Sequence, residues 1–411
     1  MAAGALKHLI IGALFGAGLT VLAILLVPKA ERQGLAFRAV GFRDLPGWEA
    51  DDQAAALAAF NKSCEKLTAP APASPLTARL LGGRVRDWVE VCGAAGAVDG
   101  ADVLAARAFF EAWFTPLALS TPGSDTGQLT GYFEPIIEGR RTKAEGFEVP
   151  LYTRPPELVT VNLGRFRKDL EGRRVAGRVR AGRLTPFESR AAIEKGALQG
   201  RGLELMWLSD PIDTFFLHIQ GSGRVRLADG SLQMVGYDGP NGHPYTSIGR
   251  LLVESGEMEL ADVSLQSIRA WLKADPERGA RLMQRNASYI FFRLLKGEGP
   301  VGSLGAELTT GRSLAVDRYH LPLGAPVYLA GTYPDPAAPE TAELPLERLL
   351  VAQDTGGAIR GELRGDVFWG LGAKAEIIAG HMNNRSRFFL LLPVPLAERL
   401  LKSAKSPPKE N

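Results

Sequence analysis

The sequence predicts a mainly β protein with helical additions, and the residue pattern from position 128 onward is the main reason. From residue 128 onward, short apolar runs alternate with Gly-rich turns, which is typical of strands joined by tight connections. Residues 349–393 repeat this pattern, with breaks at Asp354 and near Asp366. Before residue 128, the apolar residues instead recur at helical spacing. Short strands in such number, with few helices among them, indicate a barrel.

Helices are expected mainly on either side of the first β-rich region. The predicted spans are residues 48–64, 77–92, 102–114, 262–274 and 277–287. A short additional helix is predicted over residues 185–196, because Thr185, Pro186 and Glu188 have the pattern of a capping box with proline in the first helical position.

Strands are expected where a short apolar run ends at turn residues. The predicted spans are residues 128–139, 148–153, 213–220, 223–227, 231–237, 288–293, 313–317, 326–329, 349–352 and 388–392. The proline-rich residues 333–345 are expected to form a surface loop.

Length and composition describe an ordinary globular protein of several domains. The chain has 411 residues, enough for two or three domains with cores of their own. Hydrophobic residues make up 45% and charged residues 23% of the chain. The net charge of +3 gives no electrostatic reason to expect a nucleic-acid partner.

The N-terminus predicts attachment to a membrane. Residues 9–27 are nineteen consecutive uncharged and mostly apolar positions, long enough to cross a bilayer as a helix. A cleavable export signal usually has a shorter apolar run and a small-residue cleavage site, which the residues around Pro28 match poorly. We therefore expect an uncleaved anchor within residues 1–32 in preference to a cleaved signal.

The two cysteines, Cys64 and Cys92, both fall in the helical region. In an exported protein they could form one disulfide, and two buried free thiols are the alternative. The sequence leaves both states open.

Metal, nucleotide and serine-nucleophile chemistry find no support in the sequence. The five histidines lack the paired spacing of a zinc site, and two cysteines are too few for one. A P-loop, a strand-linked GxGxxG and a GxSxG nucleophile elbow are all missing from the sequence. We therefore expect neither a metal nor another cofactor.

Asp354 and Asp366 are the candidate carboxylate pair. They are twelve residues apart, a spacing that two strands and a turn can fold back into contact. Two facing carboxylates suggest acid–base chemistry, whereas the alternative is that both residues only cap turns. A second Asp-Thr-Gly triplet at Asp125 suggests an aspartic protease, but it follows a loop-like segment in place of the apolar strand that such sites need.

Several polar stretches are suited to an extended ligand such as a glycan. Tyr132, Gln220 and Ser222 lie in stretches that combine an aromatic ring, amides or hydroxyls with glycines. Sugars are bound by flat rings and many hydrogen bonds. The alternative is ordinary turn chemistry around buried tyrosines.

These stretches resemble the membrane-bound lytic transglycosylase A (MltA) family of murein-cleaving enzymes. In family order they read TGYFEP, LMWLSDPIDTFFLHIQGSGRV, VGYDGPNGHPYTSIG, NASYIFF and AQDTGGAIRGELRGDVFWG. The resemblance implies a double-psi β-barrel domain, an inserted second β-barrel domain and a groove between them. It assigns residues 33–130 and 257–403 to the first domain and residues 131–256 to the insert. The polar composition of the C-terminus predicts a disordered tail over residues 404–411.

The resemblance also implies an activity, namely non-hydrolytic exotransglycosylase cleavage of the β-1,4 bond between N-acetylmuramic acid and N-acetylglucosamine, with formation of 1,6-anhydromuramic acid. By position it places the catalytic acid at Asp366, a companion carboxylate at Asp354 and a supporting carboxylate at Asp317. Tyr132, Gln220 and Ser222 match glycan contacts. Two alternatives stay open: a hydrolytic glycosidase, with Glu204, Asp238 or Glu362 as its second carboxylate, and a peptidoglycan-binding protein without activity.

The implied partners are peptidoglycan glycan strands and the membrane, with cell-wall synthesis or division proteins as further candidates. Well-known family members carry a lipid on an N-terminal cysteine, whereas this chain has an apolar segment there. We therefore expect the protein on the periplasmic face of the envelope, anchored in the inner membrane.

Overall fold

The computed structural model describes residues 34–78, 81–170, 173–297 and 299–405. The predicted anchor at residues 9–27 lies outside these ranges, as does the tail from residue 406. Residues 404 and 405, assigned to the tail from the sequence, belong instead to the last helix. Within the described ranges, every helix is too short or too polar to traverse a bilayer.

The described part of the chain has seventeen strands and ten α-helices, which confirms a mainly β protein with helical additions. The helices are α1 (Gln53–Leu67), α2 (Arg86–Ala95), α3 (Val103–Trp113), α4 (Arg190–Ala192), α5 (Pro211–Gln220), α6 (Ile248–Glu254), α7 (Leu265–Ala274), α8 (Pro276–Gln284), α9 (Ala373–His381) and α10 (Val394–Lys405). The strands are β1 (Ala36–Ala39), β2 (Phe114–Ser120), β3 (Thr126–Glu134), β4 (Ile136–Arg140), β5 (Val149–Tyr152), β6 (Val159–Asn162), β7 (Arg174–Arg180), β8 (Arg183–Thr185), β9 (Glu204–Leu208), β10 (Ser222–Arg226), β11 (Leu232–Pro240), β12 (Ile290–Leu294), β13 (Ser313–Val316), β14 (Pro326–Pro334), β15 (Glu343–Asp354), β16 (Arg364–Leu371) and β17 (Asn383–Pro393).

Six of these strands close into a barrel. The hydrogen-bonded order is β17, β14, β15, β13, β16 and β3, and β3 pairs back onto β17. The pairs β13–β15 and β16–β3 are parallel, whereas the other pairs of the ring are antiparallel. Closure removes the exposed edges that an open sheet would present. The double-psi course of the connections stays a prediction.

A second sheet follows the barrel strand β3 directly. Its order is β12, β11, β10, β4, β9 and β5, and its edge strands β12 and β5 contact each other, so that the sheet curls. Strand β12 joins this sheet although it lies beyond residue 256. A separate small sheet, β6–β7–β8, is strictly antiparallel.

The largest apolar core lies between the barrel and the N-terminal helices. Aromatic rings from α1, α2 and α3 interlock there, with Phe60 contacting the rings of Trp88, Phe110 and Phe114. Cys64 and Cys92 form a disulfide that joins α1 to α2. Of the two states that the sequence left open, the structure has the bonded one.

The strand predicted at residues 213–220 is wrong, because this segment is the helix α5. The Asp210 carboxylate accepts hydrogen bonds from the backbone N–H groups of Ile212 and Asp213, at 2.6 and 3.1 Å, and Pro211 occupies the first turn. Gly221 ends the helix in the left-handed region, with φ of 80°. The apolar run suggested a strand, although these capping residues indicate a helix.

The capping box predicted at Thr185 is also wrong. Thr185 ends strand β8, and its hydroxyl donates a hydrogen bond to the carbonyl of Arg178 across the β7–β8 hairpin. The helix starts later, where the Ser189 hydroxyl accepts from the N–H of Ala192, and it continues as one π-helical turn over Ile193–Ala197. Cross-strand pairing of Thr185 therefore overrides its capping pattern.

Three other predictions need smaller corrections. The helix expected over residues 77–92 is formed only from Arg86 onward. The loop expected over residues 333–345 is shorter, because β14 and β15 extend into it as a long antiparallel pair. The helices α6, α9 and α10 were not predicted from the sequence.

Candidate active site

One row of side chains crosses the barrel and brings the two predicted carboxylates together. Ala315 on β13 is in register with Asp354 on β15 and with Asp366 on β16. On the next strand, Asp366 is in register with Thr130 of β3. Because neighbouring strands lie about 4.8 Å apart, the Cα atoms of the two aspartates are separated by roughly 10 Å.

A β-bulge places Asp354 in this row. The register of β13 and β15 shifts by one residue there, so that Leu314 pairs with Ala352 but Ala315 pairs with Asp354. The extra residue, Gln353, is fully buried. Without the shift Gln353 would oppose Ala315, and the carboxylate would point to the other face of the sheet.

The buried Gln353 amide holds the bulge against helix α1. Its nitrogen donates to the carbonyl of Ala59 at 2.9 Å and to the hydroxyl of Ser63 at 2.8 Å. Its oxygen accepts a short hydrogen bond from the hydroxyl of Ser313 on β13. Every polar atom of this side chain thus has a partner, which opposes slippage of the strand.

Asp366 lies beside one hydroxyl and one cation. The Thr130 hydroxyl donates to Asp366 Oδ1 at 2.6 Å, and a guanidinium nitrogen of Arg364 donates to the same hydroxyl oxygen at 2.8 Å. An arginine can only donate, so it directs the single proton of Thr130 towards Asp366. Oδ1 is therefore an acceptor in this arrangement, and Oδ2 is the oxygen that carries the proton of the neutral acid.

Burial raises the pKa of Asp366 to about 6, against the lowering influences of the Arg364 charge and the Thr130 hydrogen bond. The nearby Asp354 carboxylate contributes a smaller rise. An aspartate in this range holds its proton for a sizeable fraction of the time in mildly acidic water, as a general acid must.

Asp354 has a different environment, which suits a carboxylate. Burial raises its pKa, but the backbone N–H groups of Ser303 and Thr355 oppose this by donating to Oδ1, each at 2.8 Å. The Tyr132 hydroxyl donates to Oδ2 at 3.1 Å. Both oxygens of Asp354 thus accept hydrogen bonds, whereas Asp366 accepts one on Oδ1. This contrast makes Asp366 the better suited of the two side chains to donate a proton.

Tyr132 lies between the row of polar side chains and a buried apolar cluster. Its ring lies 5.2 Å from that of Phe368, with Leu308, Ala315 and Ile359 in the same buried cluster. Burial and the two aspartates hold the pKa of Tyr132 well above its usual value, so the phenol stays a hydrogen-bond donor.

The remaining predicted residues lie at different distances from this centre. The Gln220 side-chain oxygen accepts from the N–H of Phe133 at 3.1 Å, one residue beyond Tyr132. Ser222 starts β10, in register with Gly236 of β11. Asp317 is nearly buried and accepts from the backbone N–H groups of Tyr319 and Gly361, at 3.1 and 3.0 Å, so it ties the loop after β15 to the barrel.

The other carboxylates considered from the sequence lie elsewhere. Asp125 is exposed in the turn before β3, Glu204 starts β9 and Asp238 lies on β11, both strands of the second sheet. Glu362 lies between β15 and β16, beside Gly361. The structure thus brings together Asp354, Asp366 and Tyr132, with Gln220 at their border.

Two regions of the chain match known protein families. Residues 128–293 match the MltA specific insert domain, and residues 312–392 match the 3D domain. The first region contains the second sheet and the second contains most of the barrel.

Solved structures agree with this over nearly the whole chain. A membrane-bound lytic murein transglycosylase from Agrobacterium tumefaciens is 34% identical, with a TM-score of 0.78, and the match covers 89% of this chain and 99% of that one. The chain belongs to the MltA family. E. coli MltA with bound chitohexaose is 27% identical, with a TM-score of 0.63 and coverage of 87% and 94%. These matches confirm the family and the mainly β fold expected from the sequence.

Among curated sequences, the membrane-bound lytic murein transglycosylase A of Escherichia coli K12 is 34% identical over 271 residues. The aligned stretch covers 65% of this chain and 66% of that protein, slightly less than two thirds of its length. The Vibrio cholerae protein of the same name is 33% identical over 276 residues, which is 64% of each chain.

Arg364 and Thr130, which lower the pKa of Asp366, were not identified as site residues from the sequence. Arg364 precedes Asp366 by two positions, which places both side chains on one face of a strand. Thr130 and Tyr132 have the same spacing on β3. This period of two was a usable signal, whereas the pairing of β3 with β16 was not readable from the sequence.

Proposed function

We propose that this MltA family member is a lytic murein transglycosylase, which cleaves the β-1,4 bond between N-acetylmuramic acid and N-acetylglucosamine. The observation that supports this best is the contrast between two carboxylates in one row, one with a pKa of about 6 and one held as an acceptor. The names of the family relatives agree with the activity, and chitohexaose bound to E. coli MltA agrees with a glycan ligand.

In the first step, protonated Asp366 donates from Oδ2 to the glycosidic oxygen, and the bond to the muramic acid C1 breaks towards an oxocarbenium-like state. Ionised Asp354 lies in the same row and provides negative charge near the developing cation. Tyr132 holds Asp354 in place through its hydroxyl.

In the second step, the Asp366 carboxylate takes the proton of the muramic acid C6 hydroxyl, whose oxygen forms a bond to C1. The product is a 1,6-anhydro ring, and the acid is restored without consuming water. Because the nucleophile is already part of the substrate, its proximity replaces a bound water.

A hydrolytic glycosidase would need a free carboxylate to activate water. Asp354 is poorly suited to this role, since both of its oxygens already accept hydrogen bonds from the protein. The candidates Glu204, Asp238 and Glu362 lie outside the row of side chains. These contacts favour the transglycosylase over the hydrolase.

The proposal extends to location and domain limits. The membrane-bound relatives support a place in the cell envelope, and we propose an inner-membrane anchor within residues 1–32. We further propose that residues 33–130 and 257–403 form the catalytic domain around the insert 131–256, with strand β12 returning to the insert sheet. Gln220 and Ser222 are proposed to bind glycan, and cleavage from strand ends is the expected mode.

Mass spectrometry of muropeptides released from purified murein tests the activity. We expect products one water lighter than those of hydrolysis, and none from Asp366→Ala protein that keeps its native melting temperature. Asp354→Asn should reduce the rate without abolishing it. Reducing-end products would identify a hydrolase, and bound but uncut glycan would identify a binding protein.

A further inference from the structure

The small sheet β6–β7–β8 has an apolar face that the rest of the described chain leaves open to solvent. Alternation along β7 places Val175 and Val179 on one side, and the register adds Val159 from β6 and Leu184 from β8. These four side chains are between 39% and 60% exposed, although they are all aliphatic. The Phe166 ring, in the connection between β6 and β7, is 76% exposed.

The opposite face of this sheet packs on the body of the protein. Arg178 forms an ion pair with Glu188 and stacks over the ring of Phe187 at 5.1 Å. The backbone of Ala176 packs so closely on Gly242 that a Cβ there would come within 2.1 Å of the Ala176 carbonyl oxygen. The sheet is therefore held in one orientation, and the apolar face points outward.

Basic side chains are concentrated in the small sheet and in the exposed connection that contains Phe166. Residues 159–185 contain eight arginines and lysines but only two acidic residues, while the whole chain has a net charge of only +3. The exposed members of this set are Arg165, Arg167, Lys168, Arg173, Arg174, Arg180 and Arg183. Arg165, Arg167 and Lys168 flank Phe166, whereas Arg174, Arg180 and Arg183 lie by register on the other face of the sheet. An occupant of this surface must therefore combine negative charge with an apolar layer.

We propose that this face docks on the surface of an anionic membrane, with Phe166 and the valines in the interfacial layer and the arginines at the headgroups. Exposed apolar side chains between basic residues are the pattern of an interfacial membrane site. Peptidoglycan carboxylates would satisfy the arginines but would leave the apolar side chains in water. A second copy of this face would bring two basic rims together, which is unfavourable.

Chain length agrees with this orientation. Eight residues, and thus nine residue-to-residue steps, separate Val27, the end of the predicted anchor, from Ala36, the start of β1. Fully extended, they span about 30 Å, so an anchored body stays close to the bilayer. This inference rests on the membrane location proposed above, but not on the catalytic assignment.

A fluorescent label can test the docking in the full chain. The protein has two cysteines and both are in the disulfide, so Val179→Cys introduces a single free thiol for an environment-sensitive dye. Leu104→Cys is the matched control, because Leu104 is 69% exposed on α3, outside the small sheet. Both labelled proteins are reconstituted in vesicles of phosphatidylglycerol or of phosphatidylcholine that contain a lipid-borne quencher.

We expect the dye at position 179 to be quenched in phosphatidylglycerol but not in phosphatidylcholine, and the dye at position 104 in neither. Replacing Arg165 and Lys168, which flank Phe166, with alanine should shift the docking equilibrium by about 25-fold, or about fivefold for each basic side chain near an anionic surface. High salt should have the same effect.

Equal quenching at both positions, or none at position 179 in anionic vesicles, would overturn the proposal. Loss of quenching at position 179 on addition of soluble muropeptides would assign the face to peptidoglycan. Crosslinking between labelled copies would assign it to a dimer. Murein cleavage is measured in parallel, so that a failed docking test with intact cleavage refutes the docking alone. If the protein does not co-float with vesicles of either type, the proposed membrane anchor is refuted.

Discussion

Replacing Thr130 with valine should move the pH dependence of murein cleavage towards alkaline pH. In the proposed mechanism, cleavage requires protonated Asp366, so the rate should fall as the pH rises through the pKa of this residue, which is about 6. Thr130 donates to Asp366 at 2.6 Å and thereby favours the ionised form. Valine has nearly the same shape but cannot donate, so the pKa of Asp366 must rise.

The size of this shift follows from the strength of the lost hydrogen bond. A hydrogen bond to a charged group contributes about 1.5 to 3 kcal/mol, and one pKa unit corresponds to about 1.4 kcal/mol. The alkaline limb of the rate profile should therefore move up by about one to two units. The maximal rate should fall as well, because valine no longer fixes which Asp366 oxygen is free to donate.

The assay is the initial rate of release of anhydromuropeptides from purified murein, measured across pH for wild type, Thr130→Val and Thr130→Ser. Serine keeps a hydroxyl at the same position and should restore the wild-type limb. A limb that stays in place in a folded Thr130→Val protein would refute the role of Thr130. A limb that moves to lower pH would refute Asp366 as the acid.

Three further predictions concern stability, each measured by chemical denaturation. Asp366→Asn should stabilise the protein at neutral pH by up to about 3 kcal/mol, because the folded-state pKa of about 6 exceeds the ordinary aspartate value of 3.8. The wild type loses stability as the pH rises from 3.8 to about 6, so the stabilisation by asparagine should vanish in acid. Stabilisation of the same size in acid would show that the raised pKa of Asp366 is not its cause. His218 is buried, and neither ring nitrogen has a partner among the described residues. Burial holds its pKa well below 6.5, so wild-type stability should fall as pH drops below about 6.5, and His218→Phe should remove this loss; equal slopes would exclude His218. Replacing both Cys64 and Cys92 with alanine should cost about 3 to 4 kcal/mol, as expected for a disulfide that spans 28 residues, and a change below about 1 kcal/mol would indicate residual structure in the unfolded chain.

The residues of the site were easier to predict than their arrangement. Asp354 and Asp366 could be found because turn residues mark the strand ends around them, and family motifs added Tyr132. The bulge at Gln353 could not be found, since it depends on hydrogen bonds to Ala59 and Ser63 nearly 300 residues away. Its consequence, that Asp354 faces Asp366, is a property of the closed barrel.

Secondary structure followed a similar division. The helix α3 was predicted almost to the residue, because Asp102 caps it and its apolar stripe is clear. The helix α5 was missed because Phe215, Phe216 and Leu217 form a continuous run that has no period. Local caps were decisive at α5, and cross-strand pairing was decisive at Thr185.

The closure of the barrel by β17 has a consequence for biosynthesis. Thr130 meets Asp366 across 236 residues of chain, and β3 also pairs with β17, the last strand. Contacts this distant in sequence form slowly, after most of the chain is available. An emerging or truncated chain that lacks β17 cannot complete the ring that aligns its acid. A chain shortened before β17 should therefore lack the proposed activity, even though Thr130, Asp354 and Asp366 are all present in it.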